Sequence, residues 1–113
     1  MKIVWDKISL AELDRMAKNK FGDFVKAVVD IEQKIMAVDA ELHADEEALL
    51  ISNGSKQPDL WGINLYPALK KDEWIEFDSM INLKPAQENR SRNVEKPEIR
   101  AKIRALVALL VSE

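Results

Sequence analysis

The chain has 113 residues, of which 47% are hydrophobic and 33% charged, with a formal net charge of −3 at pH 7. That balance suits a single domain over 1–113 with a real core, and its acidic sign weighs against a general nucleic-acid binder, which needs surplus Lys and Arg on one surface. With no cysteine, disulfides, thiolate metal sites and cysteine nucleophiles are excluded.

The opening Met1-Lys2-Ile3-Val4-Trp5-Asp6 lacks the apolar run of a signal peptide, and no stretch approaches a membrane span, so the expected compartment is the cytoplasm. Lys2 to Trp5 is short and β-prone, an expected edge strand. Ser9-Leu10-Ala11-Glu12 has the form of a capping box, with Ser accepting from a helical N–H and Glu reaching back. Leu10, Leu13, Met16 and Ala17 then form a helical stripe to about Asn19, which Gly22 breaks. Asp23 is placed to cap a second helix. Phe24, Val28, Ile31, Ile35, Val38 and Leu42 recur at steps of four and three, and Val25, Val29 and Met36 widen the stripe to that of a core helix. The two helices form an expected helical pair.

Residues 41–51 are ambiguous. Ala and Glu favour a helix, but the helical stripe is poor. As a strand, Leu42, Ala44, Ala48 and Leu50 share one side with Glu46 as the single intruder, and the strand is the reading adopted. Asn53-Gly54 and Pro58-Asp59 mark a loop. Trp61, Ile63 and Leu65 alternate with Gly62, Asn64 and Tyr66, predicting a strand from Leu60 to Tyr66 that Pro67 ends, with Trp61 inward. From Trp74 to Leu83, Ile75, Phe77, Ile81 and Leu83 alternate with Trp74, Glu76, Asp78, Met80 and Asn82, which predicts the third strand of an antiparallel meander. After a polar loop, Pro97 suits the first turn of a last helix with Ile99, Ile103, Leu106 and Leu110 as its stripe. Its apolar end, Leu106 to Val111, suggests burial on several sides, in this chain or against a second copy.

Four strings carry a family resemblance: Glu41 to Leu50, Leu60 to Pro67, Trp74 to Asn82, and Asn89-Arg90-Ser91-Arg92. Together they resemble a family of small prokaryotic proteins catalogued as a domain of unknown function (number 5674), over nearly the whole chain. The resemblance implies no activity. Small or glycine residues are common in that pattern where this chain has Asp39, Ala40, Glu88 and Asn93, and Asp where it has Lys96.

The expected class is α+β: a short N-terminal strand, a helical pair, a three-stranded antiparallel meander and a C-terminal helix, with the helices on one face of the sheet. The other face would gather His43, Asp45 and Glu47 with Asn64 and Tyr66, and with Glu76, Asp78 and Asn82. Such a face has two readings. An antiparallel sheet commonly leaves one side in water, where it is polar by necessity, and this reading is preferred. Alternatively, His43, Asp45, Glu47 and Asp78 supply donors for a divalent metal, and His43, Asp45, Glu76 and Asp78 the acid and base groups of a small hydrolase. No metalloprotease, phosphate-loop or nucleophile-elbow motif supports that alternative. Arg90 and Arg92 either bind an anion or fold back onto the carboxylates. The preferred function is a binding or interaction module without a cofactor, expected to be homodimeric. Asn64, Tyr66, Trp74, Asn82, Gln87, Asn89, Arg90 and Arg92 would meet a small anionic ligand or a protein partner.

Overall fold

The computed structural model describes residues 1–113 and shows an α+β protein. Strands β1 (Lys2–Val4), β3 (Val25–Asp30), β4 (Ile35–Val38), β5 (Leu60–Leu65) and β6 (Ile75–Glu76) form one antiparallel sheet in the order β1-β4-β3-β5-β6. Helices α1 (Leu10–Asn19), α2 (His43–Ser52) and α3 (Pro97–Leu110) pack around it. A two-residue parallel pair, β2 (Ile8–Ser9) with β7 (Val111–Ser112), ties the last segment to the first. No helix is long and apolar enough to cross a membrane.

The first and last elements form as the sequence predicts. Ser9 caps α1 by accepting from the Glu12 N–H at 3.1 Å, but the Glu12 carboxylate turns away to Lys2 at 2.9 Å, so only half of the capping box exists. Pro97 opens α3, and Ile103, Leu106, Val107 and Leu110 are its buried side. The apolar end of α3 is therefore used within this chain, with Leu109 the large side chain left exposed.

The middle of the chain corrects two expectations. The predicted second helix is a β-hairpin, β3 and β4, turned by Ile31 to Lys34. Asp30 makes the turn, its Oδ1 accepting from the N–H groups of Glu32 and Gln33 at 2.9 Å each, and Lys34 takes a left-handed conformation with φ 60°. The reason for the misreading is burial on both sides. Val25, Ala27, Val29, Met36 and Val38 enter the main core, while Val28, Ile35 and Ala37 face the opposite side. A strand covered on both faces loses its polar alternation and reads as a continuous apolar run, which also satisfies helical spacing.

Residues 41–51, expected as a strand, instead hold most of helix α2 (His43–Ser52), in line with their Ala and Glu content. The helical stripe looks poor because the buried side is His43, Glu46 and Leu50, two of them polar. Since α2 covers the second face, the helices do not share one side: α1 and α3 pack on one face and α2 on the other.

The predicted strand from Trp74 to Leu83 pairs only through Ile75 and Glu76. Beyond it, Ser79 accepts from the Ile81 N–H and caps a short 3-10 turn over Met80–Asn82. Asn82 then takes over the role of a strand. Its Oδ1 accepts from the Gly62 N–H at 2.8 Å and its Nδ2 donates to the Gly62 C=O at 2.9 Å, so one side-chain amide satisfies the backbone groups that β6 leaves unpaired. Gly62 has to be glycine for this approach: a Cβ there would stand 2.5 Å from both Cβ and Oγ of Ser79. Trp74, expected on the polar side, is buried in the main core, because it lies in the turn before β6 and escapes the strand's alternation. Trp61 is inward as predicted.

Two of the positions where the resemblance implies small residues have strained backbone. Asp39 and Glu88 have φ of 72° and 61°, a left-handed conformation that costs a side chain about 1–2 kcal/mol.

Candidate functional site

The polar residues assemble at one end of the face that α2 covers. Alternation along β3 and β5 sends Lys26 and Asn64, which are register partners, to that face, and Glu76 follows as the partner of Asn64 on β6. The start of α2 lies over them. His43 is 8% exposed and its Nε2 lies 2.8 Å from the Ile63 carbonyl oxygen. Only an N–H can face a carbonyl, so Nε2 carries the proton and Nδ1 of the neutral ring is an acceptor, with the Asn64 side chain beside the imidazole. Burial holds the imidazole below its usual pKa, with the charge of Lys26 acting the same way, against the Ile63 carbonyl, the Asp78 charge and Asn64.

Asn64 donates to Glu76 Oε1 at 2.8 Å, and Tyr66 reaches the same oxygen at 3.3 Å. That pairing fixes the amide's orientation, and its Oδ1 is buried with no partner in the protein. Burial and the neighbouring Glu76 raise the Tyr66 hydroxyl above its ordinary pKa. Lys26 makes no ion pair; its Nζ lies 5.2 Å from the centre of the Phe21 ring. Phe21 stacks on Phe24, and Phe24 meets Tyr66, so a short aromatic wall flanks the cation.

One turn further along α2, Glu46 is fully buried. Its Oε2 accepts from the Ala40 N–H at 3.0 Å, while Oε1 has no partner. Desolvation raises its pKa to about 9, so the carboxyl is protonated at neutral pH.

The other expected site residues are placed differently. Asp45 is exposed on the outer side of α2, beside Ala40 and Glu41. Glu47 is part-buried, with Oε2 unpartnered, near enough to Lys84 for its charge to be felt there. Asp78 is engaged by Arg92, whose Nε lies 2.7 Å from Oδ1. No three His, Asp or Glu side chains converge as a metal-binding set, so the four donors expected for a divalent ion are not brought together.

The loop after β6 is held by its own polar side chains. Asn89 is buried, donating to the carbonyls of Asn82 and Asn93 at 2.8 and 2.7 Å and accepting from the Glu95 N–H. Gln87 donates to the Pro58 carbonyl, and the buried Lys84 amine donates to those of Gln57 and Ile81. Burial lowers the Lys84 pKa. Arg90 is exposed and anchored only through its backbone N–H, to Glu95. Asn82, Gln87 and Asn89 thus form the loop's scaffold, and Arg90 and Arg92 stand at its rim.

Sequence reasoning missed Lys26, Glu46, Lys84 and Gly62. The signal for Glu46 was present, as the one acid on an otherwise apolar side. Lys26 was hidden by the helical reading of its strand.

The fold and this face define a small α+β protein with a two-sided antiparallel sheet and a polar cluster beneath the start of α2. The chain belongs to the family described as "Protein of unknown function (DUF5674)", whose model matches residues 2–110. Neither the curated proteins nor the solved structures contain a match.

Proposed function

We propose that this protein is a non-catalytic binding module, working in the cytoplasm, whose recognition surface is the polar end of the sheet beneath the start of α2. The observation that carries the reading is a set of complementary groups left open side by side. Lys26 is a cation without an ion pair, and Asn64 Oδ1 is a buried acceptor without a donor. His43 Nδ1 is a second acceptor on a ring held neutral. A small molecule with one anionic group and two N–H or O–H donors satisfies all of them, and a buried polar group left unmet costs about 1–3 kcal/mol. The aromatic wall of Phe21, Phe24 and Tyr66 offers such a ligand an apolar side.

A hydrolase on the same face has less support, because three of its candidates are already engaged, His43 by Ile63, Asp78 by Arg92 and Glu76 by Asn64 and Tyr66, and the fourth, Asp45, lies on the outer side of α2. A homodimer remains part of the proposal only through Leu109, 53% exposed on α3.

The test is a thermal-shift and calorimetric screen of small amino, hydroxy and keto acids against the wild-type protein. A saturable ligand whose affinity falls about tenfold in Lys26→Ala and in Asn64→Ala supports the module. Stoichiometric metal in protein purified without a histidine tag, lost in Asp78→Asn, overturns it in favour of the hydrolase. Light scattering that finds only a 12.9 kDa species at micromolar concentration removes the dimer.

A further inference from the structure

On the far edge of the sheet, away from α2, β6 and α3 enclose a groove of about 410 Å³, with Lys71, Trp74 and Ile75 on one side and Arg104 and Ala108 on the other. Two independent features of this edge point to one kind of partner.

The first is unpaired backbone. β6 is the last strand of the sheet. The Trp74 carbonyl accepts from the Tyr66 N–H at 2.8 Å, and Glu76 faces Asn64 across the ladder. Alternation in an antiparallel pair then turns the N–H and C=O of Ile75 outward. Phe77, the next residue with the same orientation, makes no backbone hydrogen bond. Two successive outward-facing residues are open to another strand.

The second is an excess of positive charge, held in place by aromatic rings. The Lys71 amine stands 3.8 Å from the centre of the Trp74 ring, and the Arg100 and Arg104 guanidiniums each lie 5.0 Å from that of Phe77. Such stacking orders a cation without neutralising it. Neither arginine has a carboxylate within ion-pairing distance, although the chain carries a net charge of −3. The only carboxylate in the groove, Glu113, lies 3.8 Å from Lys71. Edge strands are commonly guarded by charge against unwanted pairing. A guard in which three cations, Lys71, Arg100 and Arg104, face the single carboxylate of Glu113 disfavours basic strands and favours acidic ones.

We propose that this edge accepts an extended acidic segment of a protein partner as a sixth strand, independently of the ligand surface under α2. The partner's main chain pairs with Ile75 and Phe77. Its alternate side chains, roughly 6.6–6.8 Å apart along a strand, present carboxylates to Lys71 and Arg104, while Arg100, tied to the Val94 carbonyl and the Asn93 side chain, adds its charge. Main-chain pairing supplies affinity and the cations select acidic sequence, as in strand addition generally.

The probe is a fluorescent peptide alternating Glu and Val, titrated into the full chain by anisotropy. The expected result is saturable, salt-sensitive binding that weakens about fivefold or more in Arg104→Ala and in Lys71→Ala. Lys102→Ala and Lys26→Ala should leave it unchanged. The same peptide N-methylated on the residues that face β6 should lose about tenfold with the protein untouched, so misfolding cannot mimic the effect. Four results overturn the proposal: no saturation, equal binding of a Lys/Val peptide, indifference to N-methylation, or tighter binding of a single-stranded oligonucleotide.

Discussion

The two faces of this sheet are held by different physics. On the side of α1 and α3, eighteen buried apolar residues form one cluster. On the side of α2, the buried apolar cluster has five residues, Val28, Ile35, Ala37, Leu50 and Leu60. Ile3, Leu49 and Ile81 pack at its margin, and the other buried side chains of that interface are polar: Asp30, His43, Glu46, Asn64, Ser79 and Asn82. Burial without direction stabilises the first face, and apolar swaps of similar volume are tolerated in such a core. The second depends on individual donors and acceptors, where losing one partner leaves the other stranded. The dry face therefore supplies stability, and the wet face fixes where the loop and α2 sit, which is where the proposed ligand surface lies.

The largest expected contrast comes from Asn82. Asn82→Ala removes the bonds to the N–H and C=O of Gly62 and to the Arg92 C=O in a fully buried setting, and should cost about 3 kcal/mol or more. Ile103→Val on the dry face should cost only ~1 kcal/mol. Urea denaturation of both variants measures the difference, and equal losses would erase the contrast between the faces.

Glu46 sharpens it with a pH dependence. The folded chain binds this proton more tightly than the unfolded one, with a pKa of about 9 against 4.5. The stability that comes with the proton is complete below pH 4.5 and declines as pH rises toward 9. Glu46→Gln, which keeps the acceptor for Ala40, should abolish that decline and stabilise the protein at pH 7 by on the order of 3 kcal/mol. A variant as pH-sensitive as the wild type between those limits would show that Glu46 is not the buried acid.

Gly62→Ala comes next, at roughly 2 kcal/mol, a typical overpacking cost for a Cβ forced against Ser79. Ser79→Gly in the same chain should recover much of the loss. If the double variant is no better, the close approach of the 79–82 turn is not what requires glycine.

The smallest effect belongs to His43, best seen in the Glu46→Gln background, where the opposing carboxyl is silent. Its folded pKa lies below 6.5, so the unfolded chain takes up the proton first and stability falls as pH drops through 6.5. His43→Asn should flatten that acid limb while leaving stability at pH 8 within about 1 kcal/mol. An unchanged acid limb would place the titration elsewhere.

Particular residues show how far the sequence could be read. The Ser9 cap, the stripe of α1, Pro97 and the stripe of α3 were legible because each is a local signal on an element that buries one side only. Leu60 to Leu65 was legible because Gly62 and Asn64 interrupt the apolar run on one face. The hairpin of β3 and β4 was not, because a second helix covers its other face and only Lys26 and Asp30 remain polar. Of the expected site, His43, Asn64, Tyr66, Glu76 and Asp78 do lie on one side of the sheet, whereas Asp45 and Glu47 depart because α2 turns by about 100° per residue where a strand would alternate.

By itself, then, the sequence determined the class: α+β, with helices at residues 10 and 97, a strand at 60, and polar residues concentrated between 43 and 92. Tertiary structure decided the rest. It turned an apolar run into a two-sided hairpin, buried Glu46 deeply enough to hold its proton, and ended the strand at Glu76 so that the Asn82 amide could pair with Gly62. Each of those outcomes depends on what packs against a residue from a distant part of the chain, and local spacing carries no record of that.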